Sequence, residues 1–351
     1  MKKIMKHDFR KIKIKSKKNK QKVFKIPYIY KIVMFFIFII LIFLIFYFYL
    51  LRGKKPNEET PNKNPNIYFD QYETNVYNEI KDKLKSSKCS VMWGNQREFL
   101  NGVIRKYRPK KILEVGVWLG GSSIIILNAI KDIKDAHLYS IDIEGSAKIG
   151  HCVNTYFPHL SDKYTLFKGN IVPEYIETIG DNIDLALLDT THVEPGEILD
   201  FLLVLPFLKE QAIVIFHDIH LQITHSKDER MRDEYAPYII FNLVRGEKFF
   251  PSGPGVLNKD IGAVILEPNQ KRFIHDYCRA LAGQWNYFLK ENHVTSVQNY
   301  FKKYYDEECQ AILKESMDFN RVFVRLNPIY KKTVFLNPKD ANKAFNYSNT
   351  I

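Results

Sequence analysis

Residues 112–123, Ile-Leu-Glu-Val-Gly-Val-Trp-Leu-Gly-Gly-Ser-Ser, constrain what this chain can fold into more than any other stretch. The apolar Ile112, Leu113 and Val115 read as a strand that ends in a glycine-rich turn. Ser122 and Ser123 are placed to cap an apolar helix running from Ile124 towards Ile130. A strand, a glycine turn and a helix N-terminus in succession commit the chain to a βα unit. They also put backbone N–H groups and the positive end of a helix dipole around a ligand. A dinucleotide fingerprint needs G-x-G-x-x-G, whose second glycine admits the pyrophosphate. Here the glycines are Gly116, Gly120 and Gly121, and the bulky Trp118 stands two positions after Gly116, which argues against a pyrophosphate.

The chain continues in alternation. Leu138–Ile143, Tyr164–Phe167, Ile183–Leu188, Ala212–Phe216 and Ile261–Leu266 read as strands, most of them separated by segments of crossover length. This predicts an α/β fold: a Rossmann-like, mainly parallel sheet with helices on both faces. Ligands of such sheets sit beyond the carboxyl ends of the strands. Upstream, Phe99, Leu100, Val103, Ile104 and Tyr107 recur at helical spacing until Arg108-Pro109 stops the helix. Phe273, Tyr277, Leu281 and Trp285 stand at four-residue steps and predict a helical C-terminal extension over residues 269–351.

The formal charge of +13 is almost wholly local, because residues 1–31 hold thirteen Lys or Arg and one Asp. The remainder is near neutral, so a basic nucleic-acid-binding face is not expected, and nucleic acid is not an expected partner. Ile32–Leu51 is twenty residues without a charge, about the 30 Å a helix needs to span a bilayer core. Tyr28, Tyr30, Tyr47 and Tyr49 flank it like an interfacial belt, and no small-residue cleavage site follows. The expectation is therefore a single transmembrane helix in front of the α/β domain, with the N-terminus cytoplasmic by the positive-inside rule. The chain divides into a basic tail (1–31), the transmembrane helix (32–51), a linker (52–67) rich in Pro, Asn and Lys, a domain (68–268) and the extension (269–351). Cys89, Cys152, Cys278 and Cys309 show no metal-type spacing, and four cysteines could form two disulfides in an oxidising compartment.

Glu114 followed by Gly116-x-x-x-Gly120 resembles the first motif of the class I S-adenosylmethionine-dependent methyltransferases. The resemblance implies that Gly116, Gly120, Gly121 and Ser122, with Glu114 nearby, wrap the methionine half of S-adenosylmethionine. It further implies that Asp142 accepts hydrogen bonds from the ribose hydroxyls (Glu144 if the register is shifted), that Asn170 touches the adenine, and that Asp189 completes the cofactor set.

The strand at Ile183–Leu188 runs into Asp189-Thr190-Thr191-His192, and the one at Ala212–Phe216 into His217-Asp218. Burying such pairs at the end of apolar strands costs several kcal/mol unless they are paired or used. D-x-x-H, then Glu197 and Asp200, then His-Asp resembles a sub-group that includes small-molecule and sugar O-methyltransferases and cephalosporin-hydroxylase-like proteins. It does so over roughly Gln96–Pro268. The usual Asp-Gly-x-His lacks its glycine here. Two chemistries fit. In the favoured one, His192 or His217 is the general base for a hydroxyl, with Asp218 as an orienting partner. In the other, Asp189 and Asp218 hold a divalent cation such as Mg. The expected activity is membrane-anchored O-methylation of a glycan, lipid-linked sugar or small metabolite. The reading from another class is a membrane-tethered, non-catalytic binding domain that retains the fold. The predicted orientation favours the second, since a methyl donor made in the cytosol is not expected outside it. The polar loop from Leu221 to Pro237 is where a lid or acceptor pocket is expected.

Overall fold

The computed structural model describes residues 68–90, 92–224, 234–253 and 259–326. The basic tail, the apolar run Ile32–Leu51 and the linker to residue 67 lie outside the described residues, as do residues 225–233 of the polar loop and residues 327–351. Among the described residues no helix is long and apolar enough to cross a membrane.

In chain order the elements are α1 (Thr74–Ser87), α2 (Gly94–Tyr107), β1 (Lys111–Val115), α3 (Gly121–Ile130), β2 (His137–Asp142), α4 (His151–Tyr156), β3 (Tyr164–Lys168), α5 (Ile176–Ile179), β4 (Ile183–Leu188), α6 (Gly196–Val204) and β5 (Leu208–His217). There follow α7 (Leu221–Thr224), α8 (Ala236–Leu243), β6 (Gly246–Phe249), β7 (Ile261–Leu266), α9 (Ile274–Arg279), α10 (Glu291–Tyr304) and α11 (Glu307–Leu326), with short 3-10 turns between several of them. The strands form one seven-stranded sheet in the order β3-β2-β1-β4-β5-β7-β6. The first five run parallel, whereas β7 is antiparallel to both β5 and β6. The expected Rossmann-like sheet is thus present, with a mixed edge. Strand β6, Gly-Glu-Lys-Phe, shows no run of apolar residues, so periodicity could not find it; its place at the sheet edge explains the polar composition.

Alternation along β1 sends its residues into two cores. Leu113 and Val115 join Phe201, Leu202 and Phe216 on one face, while Ile112 joins Phe99, Leu100, Ile124 and Ile126 on the other. Helix α3 is buried along all ten residues because α1 and α2 cover the side turned away from the sheet. Trp285, Val297 and Phe301 of the C-terminal segment are fully buried in the first core. Each such side chain contributes about 1.5–3 kcal/mol of apolar burial. The strand order reverses between β1 and β4, and the crevice beyond their carboxyl ends is where such sheets bind ligands.

Candidate active site

The glycine turn is held by close backbone packing. At Gly116 (φ +89°) an added Cβ would lie 1.8 Å from the Asp189 carbonyl oxygen, so only glycine lets the end of β1 close against the end of β4. Gly120 (φ +95°) is the N-cap residue of α3. At Gly121 an added Cβ would meet the Cys89 carbonyl oxygen at 2.4 Å. Ser122 and Ser123 do not cap the helix as expected. Their hydroxyls donate to the Glu114 carboxylate at 2.5 and 2.6 Å, and Ser140, opposite Glu114 on β2, donates at 2.6 Å. Three hydroxyls thus satisfy a carboxylate buried beneath the turn. Burial nevertheless outweighs them and raises the Glu114 pKa to about 7. Gly120, the N-cap residue, has no side chain to cap α3, which favours a ligand or water at the N–H groups of its first turn.

Asp142 closes the other wall of the turn. Its Oδ2 accepts the N–H groups of Val117 and Trp118 at 2.9 and 3.1 Å, and its Oδ1 accepts that of Glu144 at 2.8 Å. Burial raises its pKa, while these N–H donors pull the other way. The acid therefore shapes the turn itself, at the position from which ribose hydroxyls would be held. Asn170 bonds its own successor, Oδ1 accepting from Ile171 N–H at 3.0 Å, as turn asparagines do. A disulfide joins Cys89 to Cys152 across the outside of the turn. Cys152 N–H donates to Leu119 at 3.1 Å, and Cys89 packs on Gly121. Cys278 and Cys309 are free and buried, so among the described residues one disulfide is formed rather than two.

The ends of β4 and β5 bring the two Asp/His pairs into one cluster. His192 Nδ1–H donates to Glu197 Oε1 at 2.9 Å, and the same oxygen accepts the N–H groups of His192 and Thr190 at 3.0 and 3.1 Å. His192 Nε2 lies 3.1 Å from Asp218 Oδ2 and 3.9 Å from Asp189 Oδ1. His217 Nδ1 lies 3.2 Å from the same Asp218 oxygen and 3.3 Å from Asp189 Oδ1. Two imidazoles therefore share two carboxylates. Burial opposes charge on both rings, but Asp218, Glu197 and Asp189 outweigh it and raise the His192 pKa to about 10. Asp218 and Asp189 hold His217 well above its ordinary value. Burial alone would lift Asp218, yet the two imidazoles hold it far below the usual carboxylate range. Asp260 follows the opposite course, pushed up to about 7 by burial and by the charge of Asp218. Asp200, bonded by the Thr190 hydroxyl at 2.8 Å, is likewise raised to about 7 by burial. His192 (φ +62°) and Asp218 (φ +53°) both have left-handed backbones, a strain of about 1–3 kcal/mol each that the surrounding bonds must hold.

A base here is expected to have an ordinary imidazole pKa, whereas the neighbouring carboxylates favour the charged form of both rings. Of the two, His192, 18% exposed against 5% for His217, is the more open to a ligand. The cation expected between Asp189 and Asp218 meets a competitor, because His217 already lies against the same oxygens. The donor set itself suits a metal, with one atom each of Asp189, His192 and Asp218 lying within 4.8 Å of one another. The glycine cradle, the uncapped helix end and Asp142 fit the amino-acid and ribose ends of S-adenosylmethionine. Sequence reasoning missed Gln96 and Asp260. Gln96 is fully buried on α2 and its Oε1 lies 3.2 Å from His217 Nε2.

Residues 113–219 match a protein family described as a methyltransferase domain. No curated protein matches the chain. Among solved structures, the chain is similar to the O-methyltransferase from Bacillus cereus in complex with SAH. The identity is 15% over 54% of this chain and 90% of that one, with a TM-score of 0.42. It is also similar to the O-methyltransferase TomG from Streptomyces achromogenes, involved in tomaymycin synthesis and solved with SAM. There the identity is 16% over 54% of this chain and 89% of that one, with a TM-score of 0.42. A third is the SAH-bound Podospora anserina methyltransferase PaMTH1, at 13% identity over 55% of this chain and 87% of that one, with a TM-score of 0.40.

Proposed function

We propose that this chain, whose residues 113–219 match a family described as a methyltransferase domain, is a class I S-adenosylmethionine-dependent methyltransferase that methylates a hydroxyl of a small-molecule or glycan acceptor while anchored to a membrane by Ile32–Leu51. The observation that carries the reading is the His192–Asp218–His217–Asp189 cluster, set at the carboxyl ends of β4 and β5 and packed through Asp189 against the Gly116 turn. S-adenosylmethionine, when bound, supplies an electrophilic methyl group on a sulfonium sulfur. The chain's own task is to bind the acceptor and take the hydroxyl proton. Glu197 fixes the His192 ring through Nδ1, which leaves Nε2 as the atom that takes that proton, with Asp218 beside it to stabilise the charge. Because the neighbouring carboxylates favour the charged form of the ring, its Nε2 proton must pass to solvent before that nitrogen can take the acceptor's. Binding of a positively charged methyl donor favours that loss.

The charge bias around Ile32–Leu51 supports an N-terminus in the cytoplasm, and the Cys89–Cys152 bond supports a domain in an oxidising compartment. That disulfide also favours a second reading, a tethered domain outside the cytoplasm that binds a ligand without turning it over. Calorimetry of the full chain with S-adenosylmethionine and S-adenosylhomocysteine, followed by transfer of a labelled methyl group to a panel of phenols and sugars, separates the two. Binding with transfer supports the enzyme. Binding without transfer supports the tethered domain, and a folded protein that binds neither cofactor form sinks the methyltransferase reading. Protease protection in intact vesicles tests the orientation.

A further inference from the structure

Gln96 lies in α2, upstream of the segment that matches the methyltransferase family, yet its side chain reaches the acid–imidazole cluster. Its Oε1 accepts the Trp93 backbone N–H at 2.7 Å and lies 3.2 Å from His217 Nε2. A backbone N–H can only donate, so it fixes which end of the carboxamide is oxygen. An oxygen facing His217 Nε2 in turn requires that nitrogen to carry a hydrogen. His217 Nδ1 is then the atom turned to Asp189 and Asp218, at 3.3 and 3.2 Å. Helix capping accounts for the Trp93 bond but not for the second contact. Packing does not account for the residue either. Gln96 is fully buried and its Nε2 has no hydrogen-bond partner among the described residues, a desolvation cost that a methionine of similar shape would avoid.

We propose that Gln96 is a positioning residue of the site, locking the His217 ring with Nε2 protonated and Nδ1 facing the Asp189–Asp218 pair. His217 is then a ring of fixed orientation against the two carboxylates, and His192, the more exposed of the two, is left to meet an acceptor. The consequence for turnover rests on the methyltransferase reading above; the ring geometry does not.

The test uses the full chain in nanodiscs, labelled with 15N-histidine, with the His217 signals assigned by their loss in His217→Gln. In the wild type, Nε2 of His217 should be protonated throughout the neutral range. Gln96→Met should release the ring, giving a shifted or exchange-averaged Nε2 signal, whereas Gln96→Glu, which keeps an acceptor for both donors, should restore it. Methyl transfer should fall about 10–100-fold in Gln96→Met, with S-adenosylhomocysteine affinity within about twofold of wild type. An unprotonated Nε2 in the wild type overturns the proposal without recourse to any variant. An unchanged His217 signal in folded Gln96→Met overturns it as well. If no protein transfers methyl to any acceptor, the enzyme reading fails while the His217 signal still decides the role of Gln96.

Discussion

Two acids carried by β1 and by the end of β5, strands that flank β4, are accommodated by opposite means. Glu114, on β1, is met by the hydroxyls of Ser122, Ser123 and Ser140, and its pKa rises to about 7. Asp218, following β5, is met by the rings of His192 and His217 and is held far below the usual carboxylate range. Hydroxyl dipoles offset part of the desolvation penalty but leave the buried acid close to taking a proton. Imidazolium partners offset it with charge, so the protons of that cluster stay on the rings. The first arrangement is a latch that ties the start of α3 to the sheet beneath the cofactor turn. The second is a store of paired charge, 18% exposed at His192, from which a proton can be exchanged with a bound acceptor.

The comparison is broken most directly at the exposed ring. His192→Gln should lower methyl transfer by about 10²–10⁴-fold, the usual contribution of a positioned base. Affinity for S-adenosylhomocysteine, measured by calorimetry, should be nearly unchanged, because the glycine turn does not depend on that ring. A loss of cofactor binding of similar size would place His192 in the cofactor cradle instead. Asp218→Asn comes next. It leaves two buried imidazoles with one carboxylate fewer, and removing one partner of a buried ion pair costs about 3–5 kcal/mol. Urea unfolding at neutral pH should show a loss in that range, and a change below about 1 kcal/mol would mean that solvent already screens the cluster.

Glu114 gives a smaller effect with a definite sign. Its folded pKa of about 7 stands above the ordinary 4.5, so between those values the folded chain binds more protons than the unfolded one. Its contribution to stability is therefore greatest below the lower value and falls as pH rises through the higher, by on the order of 3 kcal/mol in all. Glu114→Gln removes that slope. The difference in stability between variant and wild type should shift in favour of the variant from about pH 4.5 to about pH 7 and then level off. A pH-independent difference would mean that the three hydroxyls hold the acid at its ordinary pKa.

Glu114 was legible through the resemblance of its Gly116-x-x-x-Gly120 turn to a known motif, whereas Asp142, Asp189, His192, His217 and Asp218 could be picked out for one physical reason. A polar residue directly at the end of an apolar strand is conspicuous, and strand ends in a parallel sheet converge on one crevice. The partners were harder. Gln96 stands 121 residues from His217 and lies inside a helical pattern that explains it locally. Cys89 and Cys152 are 63 residues apart, and Asp260 meets Asp218 only because β7 folds back against β5. The serines were misread because a hydroxyl at a helix start is ordinarily a cap, whereas the buried Glu114 across the turn is the stronger acceptor.

Metal dependence is where the smallest effect is expected, and it sharpens the contrast between the two acids. A divalent ion at Asp189 and Asp218 must displace the His217 ring from the oxygens it already contacts at 3.3 and 3.2 Å. It must also take the His192 lone pair from a ring whose pKa is raised to about 10. Both displacements release protons that neighbouring carboxylates hold in place, which lowers metal affinity at neutral pH. Treatment with EDTA, or addition of millimolar Mg²⁺, should therefore change methyl transfer by less than about twofold, far below the 10–100-fold that disturbing a working metal site costs. A tenfold or greater loss in EDTA, restored by Mg²⁺, would reverse the assignment. Asp189 and Asp218 would then be ligands first, and the two imidazoles would be partners that give way when the ion arrives.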